Sequence, residues 1–119
     1  MKVPALDEKE LAPYLLREDL IRQTAEQVKK DFGLHGLSIR LSGNAETAYQ
    51  ELYAQVEPYI ARLLGSEYEK LLQLLYRIDV SEKRIADALS ESANVSAAIT
   101  RLIIFRELQK VVIRSCYSK

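Results

Sequence analysis

From residue 44 onward, apolar and polar positions recur with the period of an α-helix. Ala45, Ala48, Tyr49, Leu52, Tyr53, Val56, Tyr59, Ile60, Leu63 and Leu64 follow i, i+3, i+4, i+7 spacing. Pro58 interrupts the run, and an interior proline removes one hydrogen bond and crowds the preceding turn. The apolar stripe keeps its phase across it, so the pattern predicts a kink rather than a break. An earlier helix is predicted over Pro13–Phe32, with Tyr14, Ile21, Ala25, Val28 and Phe32 on one face. Pro13 suits its first turn, and Glu18/Arg22 and Glu26/Lys30 pair at favourable spacing. Gly33 supplies the stop, and residues 1–12 are expected to fray or add a short turn.

Between these helices, Leu37, Ile39 and Leu41 alternate with polar residues inside a glycine-bracketed stretch, near residues 34–42. Alternation is the strand period. A lone strand has no partner in a helical chain. The preferred reading is an extended segment lying over the helices with these three residues inward. In the other reading the segment pairs with its copy across a two-fold axis, making Leu37, Ile39 and Leu41 dimer contacts.

Farther on, Ser66 and Glu69 suggest a capping box for a helix over 67–78 that buries Leu71, Leu72, Leu75 and Ile78. Ser81 is expected to cap a short helix over 82–90, with Val80 and Ile85 as its hydrophobic staple. Ser92 or Asn94 caps a last helix running to about Ser115. That helix has two apolar faces. Val95, Ala98, Ile99, Leu102 and Ile103 share one, while Ile104, Phe105, Leu108, Val111 and Val112 share another, nearly opposite. Arg106, Lys110 and Arg114 continue the first face as a basic stripe. Either this helix is the centre of the bundle, or its second half meets another subunit through Phe105, Leu108 and Val112. The predicted fold is a single all-α domain over 1–119, a bundle of four to five helices.

Composition agrees with that class. The 119 residues are 48% apolar and 29% charged, with only 4 Gly and 3 Pro. One cysteine, Cys116, allows no disulfide within the chain. The charged N-terminal stretch does not read as a signal peptide, and no apolar run approaches the roughly 20 residues of a membrane span. A cytoplasmic location and no membrane partner are expected. Net charge is zero, but residues 44–92 hold 5 basic and 9 acidic side chains and residues 93–119 hold 5 basic and 1 acidic. Neutralisation within the fold or across a dimer is the simpler consequence.

No catalytic chemistry shows. One histidine, His35, and one cysteine fall short of a zinc ligand set. No phosphate-binding loop, EF-hand, H-E-x-x-H or G-x-S-x-G stretch occurs. The carboxylates fall mostly on polar helix faces, and no cofactor, metal or catalytic residue is expected. Tyr49, Tyr53 and Tyr59 are expected at the core rim, with their rings in and hydroxyls wet.

The stretch RIADALSESANVSAAITRL, Arg84 to Leu102, has the outline of a DNA-reading helix-turn-helix. Ser90 and Glu91 occupy the places of the usual turn glycine and apolar residue, and its second helix is mostly apolar. A reading helix needs polar or basic side chains at base edges. The stretch therefore reads as a corner between two packed helices.

LLYRIDVSE, Leu74 to Glu82, and LIIFRELQKV, Leu102 to Val111, resemble stretches of a group of small, uncharacterised helical bacterial proteins. The resemblance spans about residues 20–116. That group has no assigned activity and implies no catalytic residues. Read on its own, the stretch ends one helix at Leu74–Tyr76, caps or pairs through Arg77 and Asp79, and starts the next at Ser81. Tyr76, Arg77 and Asp79 are also the candidate partner-binding patch, with Arg106, Lys110 and Arg114. The expected function is a non-enzymatic interaction or structural module that binds a protein partner or itself. The alternative is a weak nucleic-acid accessory protein using the basic stripe, which the neutral whole disfavours.

Overall fold

The computed structural model describes residues 8–32 and 38–117, with side chains described for 9–32 and 38–115. Among these residues all the regular secondary structure is helical. A single turn α1 (Glu8–Leu11) leads into a 3-10 turn (Ala12–Leu16), then α2 (Glu18–Phe32), α3 (Ala48–Ser66), α4 (Tyr68–Arg77), α5 (Glu82–Glu91) and α6 (Val95–Tyr117). Five helices of ten or more residues match the predicted bundle.

The long last helix is the axis of the bundle: α1, α2, α3 and α5 all pack on α6, while α4 packs on α3 and α2. Its two apolar faces therefore serve two neighbourhoods. Ile99, Ile103 and Ile104 join the main core with Ile21, Val28, Phe32, Leu52, Val56, Ile60, Leu71 and Leu75. Phe105, Leu108, Val111 and Val112 form a second cluster with Leu11 and Leu20. A helix that is apolar all round must be covered all round, and each fully buried aliphatic side chain contributes roughly 1.5–3 kcal/mol.

Boundaries depart from the sequence pattern at three places. The predicted first helix is divided at Arg17, whose extended backbone separates the 3-10 turn from α2. Helix α3 ends at Ser66. The break falls at Glu67 (φ −140°, ψ 52°), and the Ser66 hydroxyl donates back to the Arg62 carbonyl instead of capping α4. Residues 45–47 form a turn before α3, in which the Asn44 side chain accepts from the Glu46 N–H. Helix α3 runs on through Pro58 to Ser66.

Residues 38–42 are extended, and α3 satisfies them. The Gln55 amide accepts from the Arg40 N–H (2.8 Å) and donates to the Arg40 carbonyl (2.7 Å), as a neighbouring strand would. Glu51 accepts from the Ser42 N–H and hydroxyl. The Ser42 N–H most strongly, then the Thr47 and Ser42 hydroxyls, hold the Glu51 carboxyl below its ordinary range. Ile39 is buried and Leu41 packs against the main core.

Candidate interaction site

The chain between α4 and α5 is short and tightly determined. Asp79 is left-handed (φ 63°). The Val80 N–H bonds the Leu75 carbonyl and the Asp79 N–H bonds the Tyr76 carbonyl, the paired closure of a Schellman motif. Aspartate replaces the usual glycine there because its short polar side chain tolerates this conformation. Val80 is buried behind the turn, and the Ser81 hydroxyl accepts from the Arg84 N–H to start α5 as predicted.

Arg106 of α6 clamps this turn. Its Nε donates to the Ile78 and Asp79 carbonyls (3.2 and 3.0 Å), Nη1 to Gln109 (2.7 Å) and Nη2 to the Asp79 carboxylate (3.4 Å). Asp79 thus pairs with Arg106 and not with Arg77. The Arg77 guanidinium instead reaches the Asp31 carbonyl near the end of α2 (3.4 Å).

Because α4 packs on α2 and α3 while α5 packs on α6, an apolar groove of about 310 Å³ opens between them. Leu72 and Tyr76 line it from α4, and Ile85, Ala86 and Leu89 from α5, with Glu82 at one end. Leu72, expected in the core, is 39% exposed: the buried stripe of α4 is Leu71, Leu74 and Leu75, which turns Leu72 outward. Tyr76 is 83% exposed, the most exposed of the large apolar side chains among the described residues. Tyr68, one turn before Leu72, is also exposed. Glu69 shares this face by helical spacing, and neither Glu69 nor Glu82 forms an ion pair among the described residues.

Of the candidate patch, Tyr76 and Asp79 both present exposed side chains, Asp79 while facing Arg106. The basic stripe is turned to internal use: Arg106 holds the turn, Lys110 Nζ lies 3.1 Å from Glu107, and Arg114 donates to Gln27 of α2 (3.2 Å). Here the C-terminal positive charge meets acidic and polar groups inside the fold. The candidate dimer contacts Ile39, Phe105, Leu108 and Val112 are covered by this chain's own helices, and Leu41 is partly covered. They present no free face to a second copy. Leu37 lies outside the described residues.

The tyrosines of α3 pack their rings at the core rim, but the Tyr49 hydroxyl, expected wet, is buried from solvent. Tyr59 is buried against Phe32 (5.6 Å between centroids) under the Arg62 guanidinium, and Tyr49 lies 5.9 Å from Phe105. The residue that the pattern missed is Glu107. It is fully buried at the α2–α6 contact, facing Asp31, and neither carboxyl oxygen accepts a well-formed hydrogen bond among the described residues. Burial, then a hydrogen bond to Asp31, push its carboxyl up to about 8, against the opposing pull of Lys110. Its position between Ile103, Ile104, Leu108 and Val111 was the available signal.

No group of three or more metal-binding side chains occurs among the described residues, and no helix there is long and apolar enough to cross a membrane. No family model, curated protein or solved structure matches the chain.

Proposed function

We propose that this chain is a non-enzymatic, cytoplasmic protein-interaction module that receives a short amphipathic helix of a partner protein in the α4–α5 groove. The observation that carries the reading is Tyr76, 83% exposed beside Leu72 and Leu89 in an apolar groove. Clustered exposed apolar side chains mark interaction surfaces, and a groove between two helices is a common seat for a third.

Size and charge select the occupant. Tyr76 exposes on the order of 150–200 Å². With Leu72 and Leu89 the face comes to about 300 Å², against roughly 800 Å² per partner in a stable interface. Two copies face to face would leave most of such an interface unformed, whereas a short helix needs no more. The unpaired carboxylates of Glu69 and Glu82 favour a helix with basic residues beside its apolar stripe.

The test uses a synthetic amphipathic helical peptide with a leucine stripe flanked by lysines, and its glutamate-flanked counterpart. The lysine peptide is expected to shift the amide NMR signals of Leu72, Tyr76, Ile85 and Leu89 saturably, and Tyr76→Ser is expected to abolish this without lowering the Tm. Absence of a saturable shift, or a shift indifferent to Tyr76→Ser, defeats the reading. A dimer in sedimentation that Tyr76→Ser dissolves would assign the groove to a second copy instead.

A further inference from the structure

On the face of α5 opposite the groove, a second cavity of about 440 Å³ opens between the α4–α5 turn and the middle of α6. Arg84 lines it, two residues and so about 200° around the helix from Glu82. Part of its lining is apolar, from Leu11, Leu102 and Phe105. Its polar wall carries two guanidiniums. Arg106 is held rigid by the bonds that clamp the turn, and Arg84 has no carboxylate partner among the described residues. One acid, Asp79, shares the wall. Two cations against one anion leave a single positive charge beside the apolar part of the recess.

We propose that this cavity binds a small organic monocarboxylate with an apolar body, the chemistry of a medium-chain or arylalkyl acid. The volume falls within the range of small-molecule sites, which are apolar with a few fixed polar groups. An arginine fork matches a carboxylate in two parallel hydrogen bonds. The single excess charge suits a monoanion over a phosphate dianion. A carboxylate at Arg84 balances the wall, while the chain or ring lies against Leu102 and Phe105. This inference is independent of the groove, whose side chains lie on the other face of α5.

The experiment titrates the full chain with octanoate, with octanol as the uncharged body and inorganic phosphate as the bare anion, by amide NMR and calorimetry. Octanoate is expected to bind saturably, shifting Arg84, Leu102, Phe105 and Gln109 and raising the Tm. Octanol and phosphate are expected to bind at least tenfold more weakly. Arg84→Gln changes an exposed side chain, so the fold should survive, and it should weaken octanoate about tenfold while leaving octanol unchanged. The proposal is overturned if octanoate gives no saturable shift at these residues, if octanol binds equally well, if phosphate binds as tightly as octanoate, or if Arg84→Gln leaves octanoate affinity intact.

Discussion

Replacing Glu107 with glutamine should remove the fall in stability that its carboxyl imposes between pH 4.5 and about 8. In the native state the Glu107 carboxyl ionises near pH 8, whereas the same group ordinarily ionises near 4.5. Below pH 4.5 both folded and unfolded chains carry the proton, and Glu107 makes stability independent of pH. Between 4.5 and about 8 the unfolded chain releases it and the folded chain keeps it, so stability falls as pH rises. Above about 8 both are ionised and the loss is complete. Each pH unit of that interval is worth about 1.4 kcal/mol. The whole loss is on the order of 3–5 kcal/mol, a large share of the ~5–15 kcal/mol that holds a domain together. Glutamine is never ionised and its amide still donates towards Asp31. Glu107→Gln should therefore match the wild type within about 1 kcal/mol at pH 5 and exceed it by several at pH 8. Urea unfolding of both chains by circular dichroism from pH 5 to 8 tests this, because other titrating groups occur in both and cancel in the difference. A wild-type-to-variant gap that stays constant across that range would refute the reasoning.

Other substitutions probe the same physics elsewhere. Thr100 is fully buried and its hydroxyl has no hydrogen-bond partner among the described residues, so Thr100→Val should raise stability by about 1 kcal/mol in urea unfolding. Thr24, equally buried, donates to the Leu20 carbonyl at 2.8 Å, and Thr24→Val should bring no gain. Asp79→Gly should hold or raise the Tm, since glycine adopts the left-handed conformation freely and the exposed Arg106 pair is weak. Asp79→Val should cost about 1–2 kcal/mol. Gln55→Ala should speed hydrogen exchange at the Arg40 amide roughly tenfold, and an unchanged rate would show that Gln55 does not hold the extended segment.

How far the sequence discloses this fold varies with the kind of signal. The α3 stripe was readable because Leu52, Val56, Ile60 and Leu63 recur at one spacing that a single packed face explains. The central place of α6 was readable too, since its two apolar faces need cover on both sides. Boundaries were harder. Arg17 and Glu67 carry no intrinsic break signal, and the chain turns at them because packing on either side demands it. Periodicity counted Leu72 as core since it adjoins Leu71, but the face of α4 that meets α2 and α3 is only wide enough for Leu71, Leu74 and Leu75. Glu107 was hidden for the opposite reason: a carboxylate reads as solvated, and burial depends on a neighbour, Asp31, that is distant in sequence. The candidate patch at Tyr76, Arg77 and Asp79 was found as a stretch, but its three side chains go to three different places.

That divergence explains why both proposed sites flank one turn. Helix α4 is committed to α2 and α3, and α5 to α6, so the four residues from Ile78 to Ser81 must reconcile two packing directions. The Schellman closure at Asp79 ends α4 abruptly, and the Ser81 cap starts α5 at once. Two helices joined so tightly, yet packed on different neighbours, cannot also lie against each other. The splay leaves an apolar groove on one face of α5 and, where Arg106 reaches across to hold the turn, a charged cavity on the other. The stretch from Leu74 to Glu82 therefore borders both concave surfaces, and its polar residues are set by the geometry of the turn before any ligand is considered.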